Sequence, residues 1–210
     1  MAKSDVIRIY GTGRNEDKFI SFGADPEVLL HDYDSYVKFV KACEFAVRKD
    51  DRYKKYVGKV RQAGFDHCAI IGHVVEKNDN VDLEMHHGSL FTLFDYCDIV
   101  LKASMRRGKI KDLCSFDVAD QVLTEHELDN VQVVFLTKTA HKAVHKGDAV
   151  FIDIKATVGR VDRFIDRWYD GMEDNHWQRV EKYIKLAEKH RGEMTDSGLF
   201  DVAEKLKSFK

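Results

Sequence analysis

The chain has a single proline, Pro26, in 210 residues, and only four cysteines, Cys43, Cys68, Cys97 and Cys114. The cysteines are spread out and form no Cys-x-x-Cys pair, which argues against a disulfide framework and suits a reducing compartment. No apolar run approaches the roughly 20 residues needed to span a bilayer. The opening "MAKSDVIRIY" lacks the apolar stretch of a secretory signal. Neither sign of charge dominates, with 34 Lys and Arg against 36 Asp and Glu and a net charge of −2. That balance excludes coating nucleic acid through bulk charge, but leaves room for local basic patches. Internal repeats and low-complexity linkers are also lacking. The expectation is a cytoplasmic, intracellular protein with no membrane partner.

What is present is enough for a core. Apolar residues make up 44% and aromatics 11%, and the length fits one domain, or one domain with a helical appendage. "DVIRIY" and "KFISF" flank the Gly-rich turn "GTGRNED" and read as a hairpin. From Asp25-Pro26 onward the pattern is helical, with Tyr36, Phe39, Val40, Cys43, Ala46 and Val47 making one apolar face. A basic helix follows to about Gly64. "HCAIIGHVV" reads as a short buried strand and "VDLEMHH" as a second one. "SLFTLFDYCDIVLKASMRRG" and "SFDVADQVLTEHELD" read as helices, the latter capped by Ser115. "NVQVVFL" is strand-like, "KTAHKAVHKG" a short helix, and "AVFIDI" a last strand. Helices continue beyond Thr157, broken near Gly171. Trp168, Tyr169 and Trp177 read as core.

Four of the ten histidines fall in two couples, His86 with His87 and His141 with His145. Adjacent strand residues face opposite sides, so His86 and His87 share one task only if the chain turns, which Gly88 permits. Residues four apart on a helix face the same way, so His141 and His145 can grip one metal ion. One of the adjacent pair can then supply a third ligand. Glu84 lies on the same strand face as His86, where it is an extra ligand, a partner of one, or a solvated carboxylate.

"LEMHHG" followed by "DNVQVVFLTKTAHKAVHKG" resembles the HNH, or ββα-metal, endonuclease signature, including its phage-encoded members. The resemblance implies an α+β fold with a ββα-metal core over 65–156. A helical insertion over 89–128 interrupts this core, the N-terminal hairpin and helices over 1–64 precede it, and a helical region over 157–210 follows. It implies His86, His141 and His145 as metal ligands, His87 as general base, and Asn130 as the residue holding the loop in shape. The expected activity is hydrolysis of DNA phosphodiester bonds with one divalent ion, Zn, Mn, Ni or Mg. Cys68 has no partner cysteines at the family's other positions, so no structural zinc is expected. DNA is the expected partner, met by Lys138, Lys142 and Lys146 beside the ligands. Further basic stretches are Arg52–Arg61 and Arg106–Lys111, and Arg160, Arg163 and Arg167 form a third. Two alternatives differ in class: a catalytically silent module binding nucleic acid or protein, and a structural protein in which all four histidines close around one metal.

Overall fold

The structure, a computed structural model, describes residues 23–24, 31–72, 81–108, 113–146, 152 and 156–189. The expected N-terminal hairpin, most of "AVFIDI" and the last residues from 190 lie outside the described residues. Among the described residues the architecture is helix-rich with two small antiparallel sheets, a mixed α and β class.

Helix α1 (Tyr33–Lys49) begins at Asp32, whose carboxylate accepts a hydrogen bond from the Asp34 N–H at 3.2 Å. It buries Phe39, Val40, Cys43, Ala46 and Val47, the stripe that three- and four-residue spacing puts on one face. Asp50 ends α1 and also caps α2 (Asp51–Gln62), accepting from the Arg52 N–H at 2.7 Å. Helix α2 turns Tyr53, Tyr56 and Val60 inward.

The central helix is α3 (Leu93–Arg106). A reciprocal cap between Thr92 and Asp95 starts it, and Leu93, Tyr96, Cys97, Ile99, Val100, Leu101 and Ala103 are all buried. Helices α1, α4 (Ser115–Glu127) and α6 (Val161–Trp168) pack around it, as does a tight 3-10 turn at Tyr169–Gly171. That turn fits because Gly171 lies against α3, where an added Cβ would run into the Ile99 carbonyl and Ala103. Helix α7 (Asp174–Lys189) follows. Ser115 does not cap α4. It is the first helical residue, Cys114 takes the cap position without a side-chain bond, and the buried Ser115 Oγ has no partner among the described residues.

Strand β1 (Gly23–Ala24) pairs with β3 (Leu113–Cys114), and β2 (Leu83–His87) pairs with β4 (Val133–Thr137), both antiparallel. In the second sheet Leu83 faces Thr137 and His87 faces Val133. Every residue of β4 is buried, as a strand covered on both faces requires. The described part of "HCAIIGHVV" is not a strand. Its tie to β4 is one backbone bond, from the Ala69 N–H to the Phe135 carbonyl at 2.9 Å, with the buried Cys68 thiol accepting from the Thr137 N–H at 3.5 Å. Val158 takes the Val133 end of the same edge through two backbone bonds.

Two buried polar side chains join these layers. Gln132 donates to the Thr157 hydroxyl at 2.8 Å and accepts from the Leu90 N–H at 3.3 Å. Glu125 accepts from Asn130, Arg167 and Trp168 at 2.7, 2.8 and 3.1 Å, tying α4 to the following turn and to α6.

Candidate metal centre

Strand β4 runs into helix α5 (Lys138–His145) without a loop. Thr137 is both the last strand residue and the helix cap, its hydroxyl accepting from the Ala140 N–H at 3.2 Å. Because Thr137 pairs with Leu83, α5 starts beside β2 and stays in contact with it. The period of two in β2 puts Glu84 and His86 on one face, and the helical repeat puts His141 and His145 on another. The two faces meet.

One nitrogen from each of His86, His141 and His145 lies within 4.8 Å of the other two. The His141 and His145 Nε2 atoms are 2.9 Å apart, and the His86 ring centroid is 4.9 and 5.0 Å from theirs. Tetrahedral zinc with Zn–N bonds of about 2.0–2.1 Å separates its nitrogens by roughly 3.3 Å, so small side-chain rotations suffice. The site is graded in exposure, with His86 buried, His141 half-buried and His145 exposed. Burial, reinforced by the two neighbouring imidazoles, pushes His86 down to about 4, which keeps its lone pair free at neutral pH.

Glu84 completes the arrangement. Its carboxylate accepts from His141 Nδ1 at 2.6 Å, which leaves the His141 Nε2 lone pair facing the other two rings. Gly88 has a φ of +134°, and a Cβ there would lie 3.1 Å from His86 Nε2.

His87 stands elsewhere. It faces the opposite side of β2, is only 4% exposed, and its Nε2 is 3.0 Å from the Nε2 of His126. The His126 Nδ1–H donates to the Val122 carbonyl at 2.7 Å, so its Nε2 is bare and accepts from His87. The Tyr53 ring stacks on His87 at 6.0 Å between centroids, and Tyr96 meets it edge-on at 6.4 Å. Burial drives His87 well below the ordinary imidazole value and His126 down to about 4, so both are neutral members of the core. A closed site of four histidines is therefore not formed. Sequence reasoning passed over His126, whose one signal was its place on the buried face of α4 with Val118, Ala119 and Val122.

Asn130 is buried in the turn between α4 and β4, its Nδ2 bonded to Glu125 and its Oδ1 without a partner among the described residues. Lys138 pairs with Asp82 at 3.0 Å, whereas Lys142 on α5 and Lys146 at its C-terminal cap lie exposed. The other basic stretches are largely committed to ion pairs within the chain. Arg52 binds Asp120 and Glu127, Lys59 binds Asp129, and Arg106 and Arg107 reach Glu173 and Asp170. Of the Arg160 group, Arg160 pairs with Asp162 and Arg167 with Glu125. Among the described residues no helix is long and apolar enough to cross a membrane.

No curated protein and no solved structure matches the chain. A family model does, described as bacteriophage G278-like virion protein, over residues 13–208. That match overturns the HNH resemblance and the nuclease activity and enzyme class drawn from it, while keeping the link to phage. The physical reason for the misreading is plain: a His-His strand end and a His-x-x-x-His helix are what any strand–helix metal clasp needs, whether or not it hydrolyses anything. With nearly its whole length matched, the chain belongs to the bacteriophage G278-like virion protein family.

Proposed function

We propose that the chain is a structural component of the phage particle, and that His86, His141 and His145 hold one divalent metal ion that fastens α5 to β2. The convergence of the three imidazole nitrogens within 4.8 Å carries the metal part of this reading. The family supports the particle part. Three imidazole ligands favour a first-row transition ion such as zinc, nickel or manganese over magnesium, which prefers oxygen. His86 and the α5 ligands are distant in sequence, so an ion shared between them cross-links two segments that the unfolded chain lets drift apart. Its binding free energy then adds to the stability of the fold. A subunit built this way works by holding shape.

The test is to purify phage particles and quantify both this chain and bound transition metals by mass spectrometry. The reading expects the chain at a fixed copy number per particle, accompanied by about one equivalent of metal that disappears in a His141→Ala phage. Particles that lack the chain would contradict the structural role. Particles that contain it with no metal dependence on His141 would contradict the metal site.

A further inference from the structure

We infer that the metal site keeps one coordination position open to an exogenous anionic donor, and that Glu84 preserves this state as the positioning residue for His141. The inference rests on the three-histidine metal reading and concerns what completes that site. Among the described residues three protein nitrogens converge there, whereas a closed structural site has four protein ligands. Glu84 is a candidate for a fourth ligand, but its carboxylate is engaged on Nδ1 of His141 at 2.6 Å. On an imidazole ring Nδ1 and Nε2 point in different directions, so Glu84 lies behind the ligand and outside the group of converging atoms. That is the carboxylate–histidine–metal arrangement, in which the carboxylate fixes the tautomer and raises the basicity of the coordinating nitrogen.

Three further observations bear on the open side. His145 is exposed, so the site reaches the surface. Gly88 leaves unfilled the space beside His86 Nε2, into which any other residue would place a Cβ. Lys142 on α5 and Lys146 at its C-terminal cap flank His145 in the chain and are exposed, which favours a negatively charged donor over a neutral one. A carboxylate from a neighbouring subunit and a free small anion share this chemistry, and the experiment separates the site's openness from the identity of its occupant.

The probe is cobalt(II) bound to the full-length chain, read by its visible d–d absorption, with azide as the exogenous anion. Wild type is expected to give a spectrum that shifts on addition of azide. Glu84→Ala is expected to bind cobalt roughly 10–100-fold more weakly with the same band pattern, and Glu84→Gln to fall between the two. A wild-type spectrum indifferent to azide would overturn the open position. A changed band pattern in Glu84→Gln would make Glu84 a ligand, and unchanged affinity in Glu84→Ala would remove its positioning role; either result overturns the inference while sparing the three-histidine site. Failure of wild type to bind cobalt at all would instead sink the metal reading on which the inference stands. Glu84 is partly exposed, so these variants are expected to fold, with circular dichroism as the control.

Discussion

His86 and His87 are neighbours in sequence and strangers in space. The pleat of β2 sends one toward α5 and the other into the core between α2, α3 and α4. Truncating His87 leaves His126 Nε2 without its donor and opens a cavity under Tyr53 and Tyr96. His87→Ala is therefore expected to lose about 2–4 kcal/mol in chemical denaturation while metal affinity of the folded protein is unchanged. His126 adds a pH dependence. Its pKa is depressed to about 4 in the folded chain against about 6.5 when unfolded, so the unfolded state binds the extra proton first as pH falls. The groups facing it are His87, Tyr53 and Tyr56, with the charges of Arg48 and Glu127 acting at longer range. Stability is expected to be fully present above about 6.5 and to decline as pH falls toward 4. His126→Gln should flatten that slope in urea titrations at stepped pH; an unchanged slope would refute the assignment.

At the scale of elements, the helices were legible in the sequence because their apolar residues recur at helical spacing. The faces of α1 and the boundary of α3 at Gly108 follow from that pattern. The Cys68 segment was not legible. A short apolar run looks the same whether it pairs along a strand or is merely buried beside one, and this segment makes a single backbone bond to β4. Nor could local pattern foresee Glu125, whose partners Arg167 and Trp168 come from another helix. Glu125→Ala removes the acceptor for three donors, two of them buried, and is expected to cost on the order of 3 kcal/mol, measured by the midpoint of guanidinium unfolding. Gly171→Ala forces the 3-10 turn away from α3 and is expected to cost about 1–3 kcal/mol in the same assay. A neutral result would mean that the turn shifts freely, contrary to its close packing.

For the whole molecule, spacing allowed His86 to meet His141 and His145 but did not tell which of the adjacent pair would do so, nor what the convergence is for. Spacing reports the chemistry a few side chains can perform, and one clasp serves nucleases and structural proteins alike. Membership of a virion protein family rests on similarity along residues 13–208, which no short motif carries. In the proposed function three imidazoles, without His87, seat an ion that stabilises a particle subunit. A ligand that binds only the folded state at 100 times its dissociation constant adds about 2.7 kcal/mol, so zinc should raise the melting temperature visibly.

The most direct test is isothermal titration of zinc into the metal-free chain. One site per chain is expected in wild type, a similar site in His87→Ala below its melting temperature, and a loss of at least about 100-fold in His141→Ala. Equal affinity in wild type and His141→Ala, or loss of the site in folded His87→Ala, would contradict the three-histidine site.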